Sequence, residues 1–180
     1  MTRLQTPRLL LRPLEYTDAP HIYEYMRDRE IAYNTMLIPY PYPAGAAETW
    51  IEDSWANAAS GDSYTFAVVL SAEHRMIGSM GIRQNSTHNR AEIGYWMGKA
   101  YRGQGYASEA CRRIIQYGFE ELGLNRIQAG YFTRNPASRR VMEKAGMTHE
   151  GVLRQYVYKS GEYVDLGYCA ILREAWAKLD

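Results

Sequence analysis

The chain has 180 residues, 46% hydrophobic and 23% charged, which suits one soluble globular domain able to bury roughly 70% of its unfolded surface. A formal net charge of +1 excludes a strong overall field toward nucleic acid or an anionic membrane, so partners have to be read from local sites. Cys111 and Cys169 show no Cys-x-x-Cys spacing, which excludes a disulfide framework and predicts two buried thiols.

Arg3, Arg8 and Arg12 interrupt the first apolar run, so residues 1–12 do not read as the core of a signal peptide. No 18-residue apolar span follows, and a cytoplasmic protein is expected. Residues 9–14 predict a first strand, with Thr17 or Asp18 capping the next helix through a side-chain oxygen. Pro39, Pro41 and Pro43 remove backbone donors and predict an extended loop over 38–45. Helical spacing returns over 46–59, where Trp50, Ile51 and Trp55 form a stripe that Gly61 closes. Residues 64–70 and 76–83 read as an antiparallel hairpin around the polar stretch 71–75, and 91–97 as a further strand.

After a loop at 98–103, Ala107, Ala110, Cys111, Ile114, Gly118 and Leu122 recur at three- and four-residue spacing and predict a strong helix ending at Gly123. Residues 126–132 form the next strand. Asn135 followed by Pro136 reads as an N-cap with proline at the first helical position, and that helix stops at Gly146. Two strands, near 147–158 and 163–172, close the chain. Hairpins on both sides of a strand-helix-strand crossover predict an α+β fold: a mixed, mostly antiparallel sheet of about seven strands with one parallel pair, and about four helices. No repeat or linker divides the chain, so residues 1–180 are expected to form a single domain.

Arg102, Gly103, Gln104, Gly105, Tyr106 and Ala107 lie between a strand and a helix start, where free N–H groups and the helix dipole favour anions. Glycine lets the backbone approach a phosphate oxygen closely, and Ala107 is small enough not to obstruct it. On spacing alone, a turn that needs positive φ explains the two glycines as well. A P-loop would end in Gly-Lys-Ser/Thr, whereas this run continues Gly105, Tyr106, Ala107. A dinucleotide fingerprint would place an acid after the next strand, and that strand ends in Phe132, Thr133, Arg134.

The run 102–107 resembles the Arg/Gln-x-x-Gly-x-Gly/Ala signature of the GNAT acetyltransferase superfamily. Glu92, Ile93, Gly94 and Tyr95 before it, and Asn135 to Ser138 with Glu143 to Met147 after it, are similar to the RimJ/RimL-type branch, which includes ribosomal-protein N-terminal acetyltransferases. The opening 6–12 and the close near Glu150, Gly151 and Arg154 look like that branch too, so the resemblance covers nearly the whole chain. It implies a GNAT fold whose two parallel strands splay apart, and acetyl-CoA as co-substrate. Tyr95, Trp96 and Met97 would then flank the pantetheine arm and acetyl group. The backbone of Arg102, Gly103, Gln104, Gly105, Tyr106 and Ala107 would line the pyrophosphate, and Asn135 would hold the arm from the second splayed strand's exit.

Acetyl transfer to an amine needs a neutral nucleophile, a held oxyanion and a proton for the departing thiolate. Glu92 opens the strand leading into the phosphate loop, a position expected to face the cleft, and is the candidate base, direct or through water; a solvated strand-end carboxylate is the alternative. Ser138, three residues after Asn135, is the candidate donor to the coenzyme sulfur, against ordinary helix-end hydrogen bonding. Many GNAT enzymes carry an acidic tyrosine in this helix, and here Val141, Met142 and Glu143 occupy that turn, which leaves the role to Ser138 or to no protein group. The resemblance gives the oxyanion a backbone N–H near Met97.

His21, His74, His88 and His149 have no metal-ligand spacing and no nucleophile partner, so no metal is expected. Arg112 and Arg113 read as solvated charges, with contact to the coenzyme's phosphates as the alternative. An α-amine has a reference pKa near 8 and a lysine near 10.4, so a neutral lysine costs roughly 3 kcal/mol more at pH 7 and a single modest base suits α-amines. The expected acceptor is a protein N-terminus such as that of a ribosomal protein; a small amine (polyamine, amino acid or antibiotic) and a non-catalytic acyl-CoA sensor are the alternatives. Tyr40, Tyr42, Tyr156, Tyr158 and Tyr163 fall where this family builds its acceptor groove, or else pack the core and sheet edge. Neither nucleic acid nor membrane is an expected partner, and monomer and homodimer stay open.

Overall fold

The computed structural model describes residues 2–178. Its sheet has eight strands, one more than expected, because a two-residue strand β1 (Leu4–Gln5) pairs with β2 (Leu9–Pro13) before the first predicted one. From β2 the chain runs through helices α1 (Ala19–Met26), α2 (Arg29–Asn34) and α3 (Ala46–Ser60). It returns as an antiparallel meander of β3 (Ser63–Leu70), β4 (Arg75–Asn85) and β5 (Arg90–Met97). Helix α4 (Tyr106–Glu120) crosses to β6 (Arg126–Phe132), α5 (Pro136–Lys144) follows, and β7 (Thr148–Lys159) and β8 (Glu162–Leu172) form the last hairpin before a short α6 (Arg173–Trp176). The spatial order is β1-β2-β3-β4-β5-β6-β8-β7, antiparallel except for β5 beside β6.

Strand alternation places one core on each face of the sheet. On the α4 face, Ile82, Ala91, Ile93, Ile127 and Ala129 pack against Ala110, Cys111, Ile114 and Phe119. On the other face, Ala67, Val69 and Met76 meet Ile22, Met26 and Ile51 of α1 and α3. Cys111 and Cys169 are buried and unpaired, and burial pushes the Cys111 thiol up to about 12. No helix among the described residues is long and apolar enough to cross a membrane.

Two local expectations change. Asp18 occupies the N-cap of α1 but its side chain makes no cap bond. Its buried carboxylate instead accepts two hydrogen bonds from the Arg12 guanidinium (2.7 and 2.8 Å) and one from the Glu15 N–H, because a buried carboxylate is held best by a charged fork. Arg112 is not a free solvated charge: its Nε donates to the Lys144 carbonyl at 3.0 Å and so ties α4 to the end of α5, while Arg113 lies 3.8 Å from Glu121.

What positions the site is an incomplete rung pattern. β5 and β6 pair only at Arg90–Arg126, Ala91–Ile127 and Glu92–Gln128. Past Glu92, β5 stays bonded to β4 as far as Met97, and β6 stays bonded to β8 as far as Phe132. The two strands therefore diverge, and alternate N–H and C=O groups on their facing edges lack a strand partner.

Candidate active site

The gap opens into a cleft of about 290 Å³ lined by Tyr95, Trp96 and Met97 from β5, by Arg102, Gly103, Gly105, Tyr106 and Ala107 from the loop, and by Asn135 and Ser138 from α5. Of the predicted coenzyme residues only Gln104 is not on its wall; its side chain donates to the Ala100 carbonyl at 2.8 Å. Gly103 and Gly105 have φ of +77° and +85°, the left-handed region that favours glycine, so the loop is a positive-φ turn, and it borders the cleft. Gly105 is the N-cap of α4 with no side-chain cap, which leaves first-turn N–H groups aimed at the cleft.

The Arg102 side chain is engaged elsewhere. It donates to the Met97 carbonyl (3.0 Å), to Glu30 (2.8 Å) and to Asp28 (3.0 Å), fixing the loop to β5 and α2. Only its backbone is left for a phosphate. The same α2 segment is anchored on its other side. Arg134, just past β6, stacks over the Tyr33 ring, donates to the Tyr33 carbonyl and pairs with Glu162, and Lys159 donates to the carbonyls of Met36 and Ile38. Burial and the nearby Arg134 lower the Lys159 pKa. Glu30, Ile31, Asn34 and Thr35 consequently form one wall of the cleft.

Asn135 does what its position predicts locally: Oδ1 accepts from the Ser138 N–H at 3.3 Å, an N-cap bond that commits the side chain to the helix end. Ser138 Oγ lies 2.7 Å from the Tyr95 hydroxyl, which also donates to the Ser138 carbonyl at 3.1 Å. Removal of that phenol from water raises its pKa, against the opposing effect of the Ser138 hydrogen bond, so it stays a proton carrier at neutral pH. Trp96 points the other way. It is buried among α1 and α3 with its ring 5.6 Å from Tyr25, so it contributes backbone and an edge to the gap.

Glu92 does not share this cleft. Ala91 and Ile93 face the α4 core, so Glu92 projects from the opposite face, on the last rung before the strands part. It borders a second cavity of about 200 Å³ with Arg83, Gln84, Asn85, Arg90 and Gln128, and the Gln128 amide donates to it at 3.3 Å. The gap thus has the candidate acid on one face of the sheet and the candidate base on the other.

Three cations at the cleft gave no local signal in the sequence. Arg140 and Lys144, one helical turn apart on α5, line its mouth. Arg8 lies over the Tyr106 ring at 4.5 Å, donates to the Gln104 carbonyl and pairs with Glu109 at 2.6 Å, which places a guanidinium on the lip of the glycine loop. Of the tyrosines expected at an acceptor groove, Tyr42 packs into the α1–α3 core, while Tyr40, Tyr156, Tyr158 and Tyr163 are exposed. His149 lies beside Tyr131 with its buried Nε2 unpaired, and no group of three or more metal-ligating side chains exists among the described residues.

Residues 8–148 match the family described as Acetyltransferase (GNAT) domain. YnaD of Bacillus subtilis (strain 168), named as an uncharacterized N-acetyltransferase, is 35% identical over 174 residues, covering 96% of this chain and 98% of its own. A GNAT-family acetyltransferase structure from Bacillus anthracis superimposes with a TM-score of 0.84 at 30% identity, over 96% of this chain and 99% of that one. RimL, described as a ribosomal L7/L12 alpha-N-protein acetyltransferase in complex with coenzyme A, gives 0.88 at 18% identity over 97% and 99%, a likeness of fold.

Proposed function

The chain belongs to the GNAT acetyltransferase family and is an N-acetyltransferase, and we propose that it moves the acetyl group of acetyl-CoA to the α-amine of a protein N-terminus. The observation that carries this reading is the β5–β6 gap, which joins a cleft suited to a long phosphorylated thioester on one face to a carboxylate-bearing cavity on the other. The pyrophosphate lies on the backbone of 102–107, with Arg8, Arg140 and Lys144 near enough to meet further phosphate charge. The pantetheine arm pairs with free edge groups of β5 and β6, beside Asn135.

The acceptor enters from the Glu92 face. Glu92 takes the amine proton, directly or through water, as the nitrogen bonds to the acetyl carbon. A backbone N–H near Met97 holds the resulting oxyanion. When the carbon–sulfur bond breaks, the Ser138 hydroxyl, held 2.7 Å from the Tyr95 hydroxyl, donates a hydrogen bond to the departing thiolate, and the proton that Glu92 took from the amine returns through solvent to give the free thiol. A lone carboxylate as base favours an α-amine over a lysine, whose deprotonation costs roughly 3 kcal/mol more at pH 7. The test is free-thiol release from acetyl-CoA with N-terminal peptides, polyamines and amino acids; peptides should accelerate it saturably. If no amine accelerates release while coenzyme binds tightly, the chain is an acyl-CoA sensor and the catalytic reading fails.

A further inference from the structure

The cavity beside Glu92 holds more positive charge than a base alone requires. Arg83 sits directly across from Glu92 on β4, and Arg90 lies two residues before it on the same face of β5. Two guanidiniums thus face one carboxylate among the lining residues. Neither arginine forms an ion pair among the described residues: Arg90 bonds only the neutral Gln128 amide, at 3.3 Å, and Arg83 has no bonded acid. The neighbouring Arg126 differs, being neutralised by Glu150 through both of its terminal nitrogens. Unpaired, planar donors beside a cavity fit a carboxylate or phosphate, and they repel a polycation.

The spacing narrows the ligand. Directly opposed residues on paired strands are about 5 Å apart, and two residues along a strand span about 7 Å. An anion held by Arg83 and Arg90 therefore lies about 5–7 Å from the Glu92 position, on the side away from the gap. An extended peptide advances about 3.3 Å per residue, which sets the anion on the second or third residue behind the reacting amine. Gly94 and Gly130, on the facing strands just past the last shared rung, leave the peptide room: Gly94 has no atom within 4 Å of where a side chain would start, and the nearest atoms to that point at Gly130 are those of the Tyr168 and Leu166 side chains, at 3.4 Å and beyond.

We infer that the Arg83–Arg90 pair is an acceptor subsite that selects protein N-termini carrying an aspartate or glutamate at the second or third residue. The inference rests on the α-amine reading above. It is tested by steady-state acetylation of matched peptides, Ser-Asp-Glu-Phe against Ser-Asn-Gln-Phe and Ser-Lys-Lys-Phe, with spermidine alongside, in wild type and in R83Q and R90Q. The acidic peptide should have the lowest KM, by about tenfold for each charged contact. Each variant should erase most of that advantage through KM, and the preference should shrink from 0.05 to 0.5 M salt. Equal KM values for acidic and neutral peptides, or a preference undiminished in both variants, overturns the subsite and leaves α-amine acetylation standing. Acetylation of spermidine alone overturns both.

Discussion

Replacing Gly105 by valine puts a β-branched residue at φ +85°, where only glycine is unstrained. The nearest heavy atom to the new Cβ is the Arg8 Nη2 at 3.4 Å, the end of a side chain that can move, so the folding cost is mainly backbone strain of about 2 kcal/mol. In a chain this long that lowers Tm by about 4–8 °C, and the protein stays folded at 25 °C. The cost to coenzyme binding is larger. Two charge-assisted N–H bonds to phosphate at about 1.5–3 kcal/mol each amount to a loss of at least about 100-fold in affinity. Isothermal titration with coenzyme A measures the affinity and a thermal melt the strain. Gly123→Val is the control, because Gly123 is also left-handed (φ +68°), has nothing within 4 Å and follows α4 at its far end. If Gly105→Val binds coenzyme A within about twofold of wild type, or if both variants lose affinity equally, the pyrophosphate is not on this loop.

Glu92→Gln should lower kcat at least about tenfold while leaving coenzyme affinity nearly intact, since the carboxylate lies outside the coenzyme cleft; an unchanged kcat makes it a bystander. Ser138→Ala should lower kcat more than it raises KM, and Tyr95→Phe should have a smaller effect of the same kind, read from pre-steady-state thiol release. Asp18→Asn leaves the Arg12 guanidinium beside a neutral partner in a largely buried setting and should cost about 3–5 kcal/mol in urea unfolding, against less than about 1 for Glu24→Gln in an exposed pair. Hydrogen bonding from Arg126 holds the Glu150 carboxyl below its ordinary value, so its contribution is present above pH about 4.5 and is lost as pH falls through the lower folded pKa. Acid unfolding of Arg126→Gln should accordingly lose part of its slope below pH about 4.5.

Strand and helix order was legible because the two periods repeat within short windows: the α4 stripe and the hairpin of β3 and β4 carry their own signal. Asn135-Pro136 announced α5 for the same reason, since capping is local chemistry. What escaped depends on residues distant in sequence. α2 is six residues long, buries only Ile31 and Ala32, and is held by Arg102 and Arg134, with Lys159 bonding the segment just after it. Arg8 reaches the glycine loop through a pair with Glu109 about a hundred residues on, and nothing near either residue reveals it. Glu92 falls in the strand beside the loop on local pattern alone, but its side of the sheet follows only from the partners of Ala91 and Ile93. That one-residue alternation separates the candidate base from the coenzyme cleft.

The most direct test uses one peptide with both a free α-amine and an internal lysine, incubated with enzyme and acetyl-CoA at pH 7 and sequenced by tandem mass spectrometry. With Glu92 as a lone base, the acetyl group should appear on the N-terminal nitrogen, with the lysine unmodified. Acetylation of the lysine with the N-terminus left free would contradict that role.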